Sequence, residues 1–304
     1  MLKRNIIHRA CAKLFWMGVF DWLPEIPFIK FQYWARMGEK LNLSRPELFS
    51  EKLAWLKLYN QRPEYSTCVD KYAVKEYVSK KIGAEYIIPL LGVWDKFEDI
   101  DFGSLPDQFV LKCTHDCGSI CVCKDKNNFD FASAKEKITK AMRKNYYVHN
   151  KEWAYKNVVP RIIAEKYVDS LGNPESLEYK VSCFNGKVEF ITFCRGIAHA
   201  SLDVRTNDHY DRDFNRLNWY AFYKNSNIQW KKPEQWDKLI ELSEKLAKDI
   251  PYVRVDWYVI DGEIFFGEMT FYTWGGYLDF EPSEWNKKLG DMIDLPDKIT
   301  REYS

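Results

Sequence analysis

Tyr252-Val-Arg254-Val-Asp256-Trp-Tyr-Val-Ile260-Asp-Gly262-Glu-Ile-Phe-Phe-Gly-Glu268-Met-Thr270 decides the fold class. Two apolar, β-branched and aromatic runs flank Asp261-Gly262, the dipeptide that most strongly signals a hairpin. Alternation along the first run sets Arg254, Asp256 and Tyr258 on one face and Val255, Trp257 and Val259 on the other. In the second run Glu268 and Thr270 share a face with Ile264 and Phe266. Asp256 and Glu268 thus sit inside otherwise apolar strands. A buried carboxylate costs several kcal/mol unless it is paired, hydrogen-bonded or metal-bound. Two readings follow: solvent-facing acids on half-exposed strands, or hard oxygen ligands for Mg²⁺. A shared metal needs both carboxylates on one face. A strict two-residue turn pairs Ile260 with Glu263 and Asp256 with Gly267, which sends Glu268 to the wrong face. The metal reading therefore predicts an odd-length loop or a bulge, such as a G1 bulge at Gly262 pairing Val259 with Glu263.

The remaining chain suits a soluble globular protein. Its 304 residues are 46% hydrophobic and 29% charged, with 12 Trp and 19 Tyr. A net charge of +1 argues against a nucleic-acid partner. No apolar run is long enough for a membrane-spanning helix, and the basic start has no clear cleavage site. A cytoplasmic protein is expected. Among the 8 Cys, four cluster at 113, 117, 121 and 123 without a C-x-x-C turn, so reduced thiols are expected rather than zinc or disulfides.

Residues 1–40 mix Lys3, Arg4, Arg9 and Lys13 with Phe15, Trp16, Phe20 and Trp22. This reads as an amphipathic helix that either packs on its own domain or docks on a membrane surface or partner. Helices are expected over 44–59, 70–78, 133–145 and 233–249, with Asp70 as an N-cap. Phe109 to Cys113 reads as a strand carrying Lys112, then a small-residue loop, Thr114 to Ser119, then a returning strand. Such a lysine either snorkels from an edge or contacts phosphate beside loop amides. Arg161 to Val168 is a further strand. Leu177 to Phe184 and Lys187 to Arg195 form a second hairpin about Asn185-Gly186, and a two-residue turn would put Glu178, Lys180 and Arg195 on one face. The stretch 200–227, rich in charges and aromatics, reads as a long functional loop. Clustered hairpins imply an α+β architecture.

In this order the motifs resemble the ATP-grasp fold, and more closely its TupA-like family, tied to teichuronopeptide and other bacterial surface-polysaccharide biosynthesis. The stretches carrying the resemblance are Phe49-Ser-Glu-Lys-Leu-Ala-Trp-Leu-Lys57, Asp70-Lys-Tyr-Ala-Val74, Leu105-Pro-Asp-Gln-Phe-Val-Leu-Lys112, Glu178-Tyr-Lys180, Phe184-Asn-Gly-Lys187, Arg254-Val-Asp256 and Phe266-Gly-Glu-Met-Thr-Phe271. It implies two α+β subdomains gripping ATP: a lysine and phosphate-loop unit over 70–168 and a metal-binding unit over 169–304. A helical extension over 1–69 precedes them.

The resemblance implies ATP phosphates against Lys112 and Lys71, covered by the loop of His115, Gly118 and Ser119. Adenine would lie on backbone groups of Glu165, Lys166, Tyr167 and Val168, and the ribose on Glu178. Lys180, Arg195 and Arg254 would face the transferring phosphoryl group. Asp256, Glu268 and Thr270 would hold Mg²⁺. The implied activity is a carboxylate–amine ligase acting through an acyl-phosphate, joining an amino acid to a sugar carboxylate, free or on a lipid-linked glycan. The segment 200–227 would help hold the acceptor. An ATP-dependent sugar kinase or phosphotransferase is the alternative, as is a glycan-binding protein of a glycosyltransferase pathway. Peripheral association with the inner membrane face is a further expectation.

Overall fold

A computed structural model describes residues 4–168, 177–196 and 204–299. The loop expected at 169–174 and the start of the 200–227 segment lie outside the described residues. Two antiparallel sheets face each other across a cleft. Strands β1 (Leu90–Trp94), β2 (Phe109–Cys113), β3 (Cys121–Cys123) and β4 (Ile162–Lys166) form the smaller, in the order β1-β4-β2-β3. The larger contains β5 (Leu177–Phe184), β6 (Lys187–Arg195), β7 (Thr206–Asp211), β8 (Arg216–Leu217), β10 (Tyr252–Ile260) and β11 (Glu263–Thr270), in the order β11-β10-β5-β6-β7-β8. A short pair, β9 (Tyr220–Ala221) with β12 (Phe280–Glu281), completes the strands described.

Each sheet has one face toward a helix and one toward the cleft. On the large sheet Val253, Val255 and Trp257 are fully buried. They point toward helix α8 (Trp236–Ala247), whose Ser243 Oγ accepts from Trp257 Nε1 at 2.8 Å. The alternate residues Arg254, Asp256 and Tyr258 consequently point into the cleft. On the small sheet Phe109, Leu111, Ile162 and Ala164 pack on Ala134, Ile138 and Ala141 of α6 (Phe131–Met142). Lys112 and Glu165 then face the cleft.

The hydrophobic cores draw boundaries other than those expected at 69/70 and 168/169. Helix α5 (Ala73–Ile82) and α3 (Phe49–Tyr59) both belong to the large-sheet core, through Val74 and Val78 and through Phe49, Leu53 and Leu56. Asp70 accepts the amides of Tyr72 and Ala73 at 2.8 and 3.2 Å, holding the start of α5. Helices α1 (Ile6–Trp16) and α2 (Glu25–Met37) close their own aromatic core, Phe15, Phe28 and Ile29, against Ala54 and Leu58 of α3.

The segment expected as a long loop instead carries three strands, β7, β8 and β9, among its described residues. Strand β7 pairs with β6 over Phe190 to Arg195 and extends the large sheet. Its charged residues are built in: Asp208, with a fully buried side chain, accepts from Arg216 at 2.5 Å and from Trp230 Nε1 at 2.8 Å.

Candidate functional site

The hairpin β10–β11 combines a two-residue turn with a bulge, one of the two devices that the metal reading requires, placed in the strand and not at Gly262. Ile260 pairs with Glu263, and Asp261 and Gly262 have φ of 52° and 83°, as a type I′ turn requires. Parity is restored farther on. Trp257 pairs with Phe266 and Asp256 with Glu268, so Gly267 is an extra residue in a β-bulge. Asp256 and Glu268 therefore stand directly opposite on the cleft face. A Cβ at Gly267 would lie 3.0 Å from the Asp256 carbonyl oxygen, so the bulge needs glycine by close approach.

Arg254 ties this face together. Its guanidinium donates to both Asp256 oxygens at 2.6 and 2.7 Å, to Glu268 at 3.3 Å and to Thr270 Oγ1 at 3.1 Å. From β5, Lys180 reaches Asp256 at 2.7 Å and Glu178 at 2.9 Å. Burial alone would raise the Asp256 pKa, but Arg254 and Lys180 outweigh it and the carboxyl is held below its usual range. Burial lowers Lys180, yet Asp256 and Glu178 raise it further, so it stays charged.

Across the cleft, Glu165 accepts from Lys75 at 2.5 Å and Lys112 at 2.6 Å. Burial pushes Glu165 up, but Lys112 and Lys75 dominate and hold it at about 2. Lys71 donates to the Asp116 carbonyl. A cavity of about 220 Å³ runs between the two charged faces. Lys71, Lys75, Lys112, Glu178, Lys180 and Glu268 line its polar part, and Val74, Ile87, Ile88 and Phe266 its apolar part. A second cavity of about 500 Å³ adjoins it, reached by Arg36, Tyr146, Glu152, Arg205, Asn207, Tyr223, Arg254 and Trp274. Cys117, Lys180 and Glu268 line both.

Several expected residues lie elsewhere. Arg195 is turned to the opposite face from Lys180. Phe184 pairs with Lys187, but Glu189 bulges, so Glu178 pairs with Cys194 and Leu177 with Arg195. Cys194 lines the second cavity instead. His115 turns inward, with Nε2 3.2 Å from the Ala141 carbonyl and 3.1 Å from that of Lys144, at the end of α6. Ser119 Oγ is buried, accepting from the Cys113 amide at 2.9 Å and donating to Asp116 at 2.5 Å. Of that loop, Cys117 and Gly118 face the first cavity. Glu165 contributes its carboxylate rather than only backbone. Lys166, Tyr167 and Val168 line neither cavity, and the Lys166 amide is taken by the Pro89 carbonyl at 2.9 Å.

Sequence reasoning does not single out Lys75 and Arg36. Lys75 follows Lys71 by four residues, a spacing that shares a helical face, and that signal was legible. Nothing local marks Arg36, which reaches the site only because α2 docks there.

Asp256, Glu268 and Thr270 present hard oxygens on one face, and Glu268 is 35% exposed. This donor set fits a small divalent cation, with further ligands from phosphate or water. Among the described residues no group of three or more His, Cys, Asp or Glu is poised around a metal. No described helix is long and apolar enough to cross a membrane.

A search among curated proteins returned no match. Solved structures with a similar course include D-alanine–D-alanine ligase from Bacillus anthracis complexed with ATP, at 15% identity and TM-score 0.40, covering 72% of this chain and 56% of that one. D-cycloserine synthetase DcsG gives 13% and 0.40, over 67% and 62% of the respective chains. D-alanine–D-alanine ligase from Helicobacter pylori gives 14% and 0.47, over 81% and 69%. The chain thus spans less than two thirds of the length of the first two. The TupA-like ATP-grasp profile matches residues 51–294, and with four-fifths of its length inside that match the chain belongs to the TupA-like ATP-grasp family.

Proposed function

We propose that the protein is an ATP-dependent carboxylate–amine ligase of surface-polysaccharide biosynthesis, working in the cytoplasm. The observation that carries this reading is the junction: Lys180 and Glu268 line both cavities, so a nucleotide in the first and an acceptor in the second meet at the same charged groups. The apolar end, Val74, Ile87, Ile88 and Phe266, suits a purine, and Glu178 suits ribose hydroxyls. Lys71, Lys75 and Lys112 neutralise phosphates. Mg²⁺ on Asp256, Glu268 and Thr270 would supply further charge neutralisation.

The chemistry needs no side-chain nucleophile. A substrate carboxylate oxygen attacks the γ-phosphorus and ADP leaves. The amine lone pair then attacks the acyl carbon, the acyl C–O bond to phosphate breaks, and the amine proton leaves with the departing inorganic phosphate. Lys180 and Arg254 stabilise charge on the transferring phosphoryl group, where fixed cations in a dry cleft are most effective. Arg36 and Arg205 suit an acidic acceptor such as a sugar carboxylate, with Trp274 and Tyr223 as faces for its ring.

The test is ADP and phosphate release over pairs of amino acids and uronic acids. A ligase releases both only with both substrates present. ADP release with phosphate retained on the sugar would make it a kinase, and no ATP consumption under any pair would sink the enzymatic reading.

A further inference from the structure

Helices α1 and α2 already bury the apolar face the fold needs, through Phe15, Phe28 and Ile29. A second apolar face remains outside. Ile6 is 83% exposed, Ile7 58%, Trp16 73%, Met17 62% and Trp22 77%. Along α1 and its C-cap, Ile6, Ala10 and Met17 follow one line and Ile7 and Leu14 the next, so these side chains form a stripe rather than scattered exposures. Exposed Lys13 lies within the first line, between Ala10 and Met17, and exposed Arg9 sits beside it on the side of Trp16. The acids of the same stretch are withdrawn: Asp21 and Glu25 are half-buried, and Glu25 pairs with Lys156 at 3.0 Å.

We propose that this face docks the protein on an anionic lipid surface. An in-plane helix whose Trp and aliphatic residues share an exposed face with Arg and Lys, the long cationic side chains reaching up to the headgroups, matches the membrane interface in depth and in charge. A second copy suits it less, because self-pairing would set Arg9 and Lys13 against their equivalents with no exposed acid between. Trp16 also lines the second cavity, so the acceptor cavity opens beside the docking face. The protein would therefore receive its acceptor from the membrane, as a glycan on a lipid carrier. That last step rests on the ligase reading; the docking does not.

Cosedimentation of the full chain with vesicles tests it. Phosphatidylglycerol–phosphatidylcholine vesicles should bind the protein, less so as salt rises, and phosphatidylcholine alone should bind it weakly. Replacing Met17→Ser with Trp22→Ala, or Arg9→Glu with Lys13→Glu, should each weaken binding about tenfold or more. These positions lie outside both cavities, so turnover of soluble substrates should stay at the wild-type level. Equal binding to neutral and anionic vesicles, binding unchanged in both double variants, or a dimer that the Trp22 variant dissolves would overturn the proposal. Vesicle binding without any ATP turnover would count against the ligase reading and leave the docking intact.

Discussion

Hairpins β5–β6 and β10–β11 share the same turn chemistry and reach opposite results. Asn185-Gly186 and Asp261-Gly262 both adopt positive φ at both residues, at 49° and 80° and at 52° and 83°. Each hairpin then carries one bulge, at Glu189 in the first and at Gly267 in the second. The bulge at Gly267 turns Glu268 toward Asp256 and into the cleft. The bulge at Glu189 turns Arg195 away from Lys180 and leaves Cys194 in its place. A turn sets which residues pair beside it, whereas a bulge decides which face everything beyond it occupies. One inserted residue therefore determines whether a charged side chain belongs to the site.

The sharpest way to break the comparison is to remove the partner that the second bulge serves. Asp256→Ala leaves Lys180 and Arg254 short of a buried carboxylate. It should lower stability by about 3 kcal/mol and ADP release by about a thousandfold, read by thermal melting and by turnover. Asp256→Asn adds a test of sign. The Asp256 pKa is depressed, so its contribution is present above the ordinary carboxylate range and lost as pH falls through the lowered value. The wild type should lose melting temperature on acidification below about pH 4 more steeply than the variant.

Gly267→Ala tests the bulge directly. The added Cβ meets the Asp256 carbonyl oxygen at 3.0 Å and Tyr258 at 3.2 Å. It should cost about 1–2 kcal/mol and reduce turnover about tenfold or more by displacing Glu268. Wild-type turnover would show that the close packing at Gly267 does not position Glu268.

The first hairpin supplies the smaller effects. Arg195→Ala should leave turnover within about threefold of wild type, since its side chain stands on the far face. A loss comparable with Lys180→Ala would return Arg195 to the site. Glu189→Gln should raise the melting temperature slightly at pH 7. Burial holds the Glu189 pKa above its usual value despite Arg212, so the charged form is disfavoured in the fold. The gain should shrink as pH falls and wild-type Glu189 protonates.

Much of this was legible in the residues themselves. Asp-Gly and Asn-Gly between alternating runs mark both hairpins, because few residues accept positive φ twice in succession. Alternation placed Arg254, Asp256 and Tyr258 on one face and Val255 and Trp257 on the other, and acids in apolar strands marked the site. Lys112, flanked by apolar residues, marked the facing sheet. These signals are local, and strand and turn geometry repeat over two to four residues.

Tertiary structure decided the rest. Glu189 and Gly267 shift the register of their hairpins, and for Gly267 the cross-strand contact with Asp256 explains the residue only once the strands are paired. His115 and Ser119 look like phosphate-loop residues, but the end of α6 takes His115 Nε2 and the Cys113 amide and Asp116 take Ser119 Oγ. Lys75 meets Glu165, and Arg36 reaches the second cavity, only because α5 and α2 dock where they do. Composition and periodicity determined the two hairpins, their turns and the charged face of β10. Which charges meet was settled by register parity and helix docking, which depend on contacts between residues distant in sequence.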